Sequence, residues 1–216
     1  QTLTATVNSG VTGTTPVTYS NSLCYAIPDG GVASTNTGQI GTGSWATSAI
    51  NVSGFCGTTW QTGNPLSVTL NINHTYDSDL NIFLQAPNGA LLSLSSDDGG
   101  AGDNFTNTVF TTTAANIIGS GGNNAAPFTG NYAPDGAGGF SVFNNTSING
   151  VWTLWLGDDT PLDAGSLSNW SITFTPQNAY TYVWSASTGA APANNSLTPT
   201  VCPAVSTVYS LTATNS

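Results

Sequence analysis

Residues 66–73 read LSVTLNIN, in which Leu66, Val68, Leu70 and Ile72 alternate with polar side chains. Successive side chains of a β-strand point to opposite faces, so this alternation predicts a strand with one buried and one solvated face. The same period of two recurs along the chain, whereas no stretch keeps a helical period of 3.6 residues beyond two turns. The sequence therefore predicts an all-β fold.

A first hairpin is predicted directly after this strand. The apolar alternation of residues 80–84 leads into APNG at residues 86–89, and residues 91–94 provide the returning strand. Proline and glycine occupy positions that tight turns favour.

A second hairpin is predicted to pair residues 151–156 with residues 167–174, on either side of an acidic loop at residues 158–165. Between the two hairpins, residues 119–139 are rich in glycine and asparagine. This stretch is too long for a tight turn and predicts an irregular surface loop.

The charge composition excludes several classes of function. The 216 residues include ten aspartates and no glutamate, lysine or arginine, which gives a formal net charge of −10. No side chain is available to neutralise phosphates, so nucleic acids and anionic membrane surfaces are excluded as partners. No run of about 20 apolar residues is present, so no membrane span is predicted.

Three ordered blocks of sequence carry a family resemblance. They are IPDGG and INV at residues 27–31 and 50–52; HTYDSDLNIFL, APNGA and DDGGAGDNF at residues 74–84, 86–90 and 97–105; and PFTGNYAP, NGVWTL, DD and GSLSNWSITF at residues 127–134, 149–154, 158–159 and 165–174. Together the blocks resemble the P domain, or Homo B domain, of subtilisin-like proprotein convertases and its bacterial relatives. The resemblance implies a jelly-roll β-sandwich without chemistry of its own, which in convertases packs against and stabilises a catalytic domain.

The C-terminal part differs in composition from Pro176 onward. Its motifs YVWSASTG at residues 182–189 and TVYSLT at residues 207–212 are similar to the Ig-like segments that follow such domains in large secreted bacterial surface proteins, often type IX secretion cargo and adhesins among them. We therefore predict an N-terminal strand or linker from a preceding module at residues 1–20, a P-domain-like jelly roll at 21–176 and a partial Ig-like β segment at 177–216. LTAT occurs near both ends of the sequence. We expect a processed piece of a longer extracellular or cell-surface protein, about one repeat long if the match reflects a tandem array.

The aspartates cluster. Eight of the ten lie in three short stretches: Asp77 and Asp79; Asp97, Asp98 and Asp103; Asp158, Asp159 and Asp163. Like charges repel, and no lysine or arginine is present to pair with them. Ca²⁺ binds six to eight oxygens, which carboxylates and the backbone carbonyls of DDGGAGD supply, although the pattern is not that of an EF-hand. These eight aspartates are the predicted calcium ligands, and the family resemblance implies calcium as well; the alternative is solvated turn aspartates without metal.

No catalytic residue is predicted. His74 is the only histidine, and the sequence contains neither a GxSxG nor an HExxH motif. A paired-carboxylate hydrolase uses two acids on opposite sides of a cleft. Asp77 and Asp79 are adjacent alternate residues, which would lie on one face only if their segment is extended. The resemblance implies that His74 ends a strand and packs structurally, so the chain is predicted not to be an enzyme.

Cys24, Cys56 and Cys202 lack the CxxC spacing of zinc ribbons and thioredoxin-like proteins. We predict a disulfide between Cys24 and Cys56, which lie 32 positions apart, with Cys202 free or paired to a neighbouring module. A bridge from Cys202 to either of the others is the alternative.

Three functions follow from these observations. The first is a calcium-stabilised structural or adhesive module, such as a repeat of a filament or stalk. Its partners would be neighbouring modules of the same protein or identical subunits. The second is an accessory P domain that supports the folding of a secreted protease. The third is a carbohydrate-binding module that uses Trp45, Trp60 and Tyr132 to bind surface glycans.

Overall fold

The computed structural model describes residues 15–32, 40–55, 59–119, 125–176, 180–193 and 199–215. The strands in these residues are β1 (Val17–Asn21), β2 (Tyr25–Ile27), β3 (Ala46–Val52), β4 (Leu66–His74), β5 (Leu80–Gln85), β6 (Leu91–Ser96), β7 (Phe105–Thr111), β8 (Phe128–Tyr132), β9 (Gly150–Asp158), β10 (Gly165–Phe174), β11 (Tyr180–Ala186) and β12 (Tyr209–Asn215). Short 3-10 helices cover Asp77–Asp79 and Gly139–Phe143. None of the described helices has the length and apolar character needed to cross a membrane.

The chain divides into two compact units. The larger comprises Pro16–Ser53 and Gly57–Thr175, and the smaller comprises Gln1–Thr15, Gly54–Cys56 and Pro176–Ser216. In the smaller unit, β11 and β12 form an antiparallel pair. The Ig-like character of this part stays a prediction.

The larger unit is a β-sandwich, which confirms the predicted all-β class. Its first sheet has the strand order β1-β10-β4-β7-β8, with β2 also paired to β10. Its second sheet has the order β3-β9-β5-β6. Neighbouring strands run antiparallel except for β7 and β8, which run parallel. Because β1 pairs with β10, the sandwich begins a few residues before the predicted boundary at residue 21.

The two predicted features around β4 and β5 are confirmed. In β4, Leu66, Val68, Leu70 and Ile72 are buried and every intervening polar residue is more exposed. The β5–β6 hairpin closes at the APNG turn, where Ala86 N donates a hydrogen bond to the carbonyl of residue 90 over 2.8 Å.

Aromatic side chains fill the space between the two sheets. Trp152 of β9 packs against Phe174 of β10, with ring centroids 5.3 Å apart. Trp170 of β10 donates its indole hydrogen to Ser48 Oγ of β3 over 2.8 Å, so one of the few polar groups in this core is also paired. Burial of each such side chain contributes roughly 1.5–3 kcal/mol, so this layer holds the sheets together.

The second predicted hairpin is wrong. Strand β9 pairs with β3 and β5, whereas β10 pairs with β1, β2 and β4. The physical reason is that both strands have a continuous apolar face that must be buried against the same core. The acidic loop between them therefore crosses from one sheet to the other instead of closing a ladder.

The predicted irregular loop at residues 119–139 is also only partly correct. It contains β8, which extends the first sheet beside β7. Strand β8 has one fully buried side chain, Phe128, and a glycine with positive φ, Gly130, at its centre. Such a strand lacks the apolar alternation on which the prediction relied.

Candidate functional site: the acidic end of the sandwich

The strand pairing of β5 brings the three predicted acidic stretches to one end of the sandwich. Strand β5 lies between β6 and β9, and Leu80 at its start faces Asp158. The backbone N–H of Asp97 donates to the Leu80 carbonyl over 3.1 Å, and that of Asp159 donates to the Asp79 carbonyl over 3.0 Å. These bonds hold the loops after β4, β6 and β9 side by side.

Asn81 provides neutral hydrogen-bond donors between two of these loops. Its Nδ2 lies 3.4 Å from Asp97 Oδ1 and 3.3 Å from Asp159 Oδ2. Asn81 is itself fully buried. Burial raises the pKa of Asp97 and the neighbouring Asp159 carboxylate also raises it, whereas the hydrogen bond from Asn81 lowers it. One neutral amide therefore donates to carboxylates of two different loops.

Asp77 is the most strongly perturbed carboxyl group. Its Oδ1 accepts a hydrogen bond from the backbone N–H of Asn104 over 2.9 Å, whereas its Oδ2 is buried and accepts none from the described residues. The pKa of Asp77 is raised to about 7, mainly by burial and to a smaller extent by the charge of the nearby Asp103, against the lowering effect of the Asn104 N–H. Gly99 has a positive φ, and a Cβ there would lie 2.9 Å from the Asp77 Cβ, so the glycine is required where the loop passes Asp77.

Asp98 lies in a separate polar niche. It accepts a hydrogen bond from Ser95 Oγ over 2.7 Å, and burial raises its pKa to about 6. A Cβ at Gly119 would lie 1.6 Å from Asp98 Oδ1, so this carboxylate occupies the space that a side chain would need.

Asp135 is a member of the acidic end that the sequence analysis missed. It accepts hydrogen bonds from Ser93 Oγ over 2.7 Å and from the Ser96 N–H over 2.8 Å. Its charge raises the pKa of both Asp97 and Asp98, and burial raises its own pKa. Asp135 stands alone in the sequence, and no local pattern connects it to residues about 40 positions away.

The third group surrounds the end of β9. His74 Nε2 lies 3.2 Å from Asp158 Oδ2, and His74 Nδ1 lies 2.9 Å from the Tyr76 carbonyl oxygen. Burial raises the pKa of Asp79, and the carboxylates of Asp158, Asp163 and Asp159 raise it further. Both ring nitrogens of His74 thus have partners inside the protein, at the end of a strand, as the sequence analysis predicted.

The arrangement therefore gathers carboxylates without completing a metal centre. Among the described residues, no three His, Cys, Asp or Glu side chains converge in a group that could hold an ion. Asp77 and Asp103 lie together, Asp97 and Asp98 lie near Asp135, and the remaining predicted ligands lie around Asp79. Calcium stays a prediction, and backbone carbonyls would have to supply part of its ligand shell.

The cysteines and the predicted sugar-binding aromatics lie elsewhere. Cys24 and Cys202 are exposed, and neither forms a disulfide with another described residue. Cys56 lies outside the described residues, so the Cys24–Cys56 disulfide stays a prediction. Trp60 is only 1% exposed, which removes it from the predicted glycan-binding surface, whereas Trp45 and Tyr132 are half-buried.

A comparison with known families identifies one that covers about half of the chain. Residues 64–174 match the sequence profile of the proprotein convertase P-domain. Leupeptin-inactivating enzyme 1 of Streptomyces exfoliatus is 31% identical over 127 residues, which cover 59% of this chain and 22% of that enzyme.

Two solved structures of a serine protease from Aeromonas sobria were also matched. One contains the protease with its chaperone and has a TM-score of 0.38; the other contains the protease and has a TM-score of 0.37. Both are 17% identical, and the matches cover 83% and 82% of this chain. The chain spans about a quarter of the length of these relatives.

Proposed function

Since the chain belongs to the proprotein convertase P-domain family, we propose that it is a non-catalytic accessory domain of a secreted protein, where it supports the folding of a hydrolytic domain of the same polypeptide. The observation that carries this proposal is the match of residues 64–174 to the P-domain family, together with the similarity to a relative whose name describes an enzyme. Because that match covers 22% of the relative, most of such an enzyme lies outside the part that resembles this chain. We place the protein outside the cell on the same grounds.

The geometry of His74 supports a non-catalytic role. A nucleophile is activated by a base within hydrogen-bond reach, and His74 is the only imidazole in the chain. Its ring contacts the backbone of Tyr76 and the carboxylate of Asp158, and the side chain is 2% exposed. A substrate would have no access to either ring nitrogen.

The acidic end supports a calcium ion as a stabilising ligand. The buried Asp77 Oδ2 lacks a hydrogen-bond donor among the described residues, which is costly for an ionised carboxylate and is relieved by a cation. Asp77, Asp103 and carbonyl oxygens of the loop at residues 97–103 would hold the ion. Hard oxygen donors of this kind suit Ca²⁺, which would neutralise charge and join the loops.

The accessory role is tested in the full-length parent protein. A deletion of residues 16–175 should greatly reduce the yield of soluble, active hydrolytic domain, and co-expression of the deleted part should restore some of it. A variant that lacks only the smaller unit from Pro176 onward is the matched control. An equal yield of soluble, active hydrolytic domain with and without residues 16–175 would refute the proposal.

A second candidate is a calcium-stabilised structural or adhesive module of a large cell-surface protein, repeated in a filament or stalk. The observation that favours it is the second unit, in which β11 and β12 form a pair of their own. The parent sequence separates the two candidates, because an adjoining hydrolytic domain favours the first and an array of similar modules favours the second. Surface glycans as partners of such a module stay a prediction that a glycan array would address.

A further inference from the structure

Leu162 is an apolar side chain in an unfavourable position. It lies in the loop between β9 and β10, it is 93% exposed, and its φ is +100°. A bulky residue with positive φ is strained, and an exposed leucine leaves apolar surface in water. Glycine at this position would relieve both effects, so leucine brings no benefit to the isolated fold.

The backbone around Leu162 is nevertheless firmly held. The Leu162 N–H donates to Asp29 Oδ1 over 2.9 Å, and the Ala164 N–H donates to Thr75 Oγ1 over 3.2 Å. The turn after β2 also packs closely against the loop, because a Cβ at Gly30 would lie 3.0 Å from the Pro161 nitrogen. The leucine is thus presented by a loop whose backbone is hydrogen-bonded to two other parts of the unit. Strain that a structure maintains in this way marks sites of function more often than sites of stability.

The surroundings of Leu162 define the partner. Asp29 contacts its backbone, Asp163 follows it in sequence, and Asp159 lies at the start of the same loop. The chain contains no lysine or arginine to offset these carboxylates. Tyr76, 37% exposed, follows Thr75, whose hydroxyl donates to Asp163 over 2.8 Å. A complementary surface therefore has an apolar pocket with lysine or arginine side chains at its rim.

We propose that Leu162 is the anchor by which this unit docks onto such a pocket on the adjoining hydrolytic domain. This inference rests on the proposed function, because it takes the occupant to be a domain of the same polypeptide. Docking buries the leucine, and the carboxylates around it meet the basic rim. Because the loop is already ordered, it loses little conformational entropy on docking. This small entropic cost offsets the backbone strain at Leu162 in the free unit.

The test compares the 216-residue chain with the full-length parent protein by hydrogen–deuterium exchange. In the parent, amides of residues 159–164 should exchange at least tenfold more slowly than in the 216-residue chain. Leu162→Gly should abolish this difference, while its melting temperature in the 216-residue chain stays equal or rises because the strain is removed. Leu23→Gly is the matched control, since Leu23 is also an exposed leucine, 65% accessible, outside this loop. It should leave the protection intact.

The outcomes separate the anchor from the accessory role. Equal exchange of residues 159–164 in both proteins, or protection that survives Leu162→Gly, overturns the anchor. If either result occurs while deletion of residues 16–175 still abolishes hydrolytic activity, only the anchor is wrong. If the deletion has no effect on activity, the accessory role itself fails. Added salt should weaken the protection, because the contact with the basic rim is electrostatic.

Discussion

His74 and Asp158 form a buried pair that joins the two sheets, with Nε2 and Oδ2 3.2 Å apart and neither side chain exposed. His74 ends β4 of the first sheet and Asp158 ends β9 of the second. The chain contains no lysine or arginine, and His74 is its only histidine. The pair therefore links the ends of two strands that belong to different sheets.

We expect His74→Ala to lower the free energy of unfolding by about 3–5 kcal/mol, because it leaves the buried Asp158 carboxylate without its partner. Urea denaturation followed by tryptophan fluorescence measures this change. Tyr76→Phe, at an exposed neighbour, should change the value by less than about 0.5 kcal/mol. A loss of hydrolytic activity of the parent protein with unchanged stability would instead assign His74 a catalytic role.

The buried carboxyl groups predict an unusual dependence of stability on pH in the absence of calcium. Burial raises the pKa of Asp77 to about 7 and that of Asp98 to about 6, from 3.8. At a pH between the unfolded value of 3.8 and the raised folded values, the folded state binds more protons than the unfolded state. The free energy of unfolding therefore falls as the pH rises from about 4 to 7 and is level above that range. Thermal unfolding in EDTA should show this decline, and Asp77→Asn should remove its upper part. A melting temperature that rises from pH 5 to 7 would contradict the assignment.

Calcium should raise the melting temperature at neutral pH. An ion that binds the folded state alone stabilises it by about 2.7 kcal/mol at one hundred times its dissociation constant. Asp77→Asn should remove most of this gain, whereas Asp29→Asn, outside the three acidic stretches, should retain it. Identical thermal transitions in millimolar calcium and in excess EDTA would exclude calcium as a stabilising ligand.

Neighbouring residues of β9 provide a test of the sandwich core. Trp152 is fully buried and contacts Phe143 and Phe174, whereas Val151 is 51% exposed. Trp152→Ala should therefore cost about 3–5 kcal/mol, and Val151→Ala should cost well under 1 kcal/mol. Chemical denaturation of both variants measures the difference. Equal effects would mean that β9 does not face the core in this register.

The predicted disulfide between Cys24 and Cys56 is open to direct chemical analysis. A bridge that closes a loop of this size should stabilise the chain by roughly 3–4 kcal/mol on the chain-entropy account. Peptide mapping under non-reducing conditions, with a protease that does not require lysine or arginine, would identify the pairing. A bridge that involves Cys202 would show the assignment to be wrong.

The sequence predicts what local patterns encode. Alternation in β4 specifies which face is buried, and the APNG turn specifies that β5 pairs with β6. The partners of β9 depend instead on which sheet can cover its apolar face, and that is a property of the whole sandwich. The loop before β10 is short enough for a hairpin, and nothing within it indicates that it changes sheets.

The same distinction holds for the acidic end. Clustering in sequence indicated eight of its aspartates, and the strand order then placed their loops together. Asp135 joins Asp97 and Asp98 only through the fold, since its partners Ser93 and Ser96 lie on β6. The burial of Trp60 could not be predicted from the sequence either, because the residues around this tryptophan are polar and show no apolar alternation.

The pairing of β1 with β10 determines when this unit can fold during synthesis. Val17 faces Phe174, and β10 lies between β1 and β4 in the sheet. Until the ribosome has released residue 174, β1 and β2 have no partner and β4 lacks a neighbour on one side. Contacts between such distant parts of a chain require a large loss of loop entropy before they form, which slows folding. The sandwich is therefore expected to form late and in one cooperative step, after nearly all of its strands have been translated.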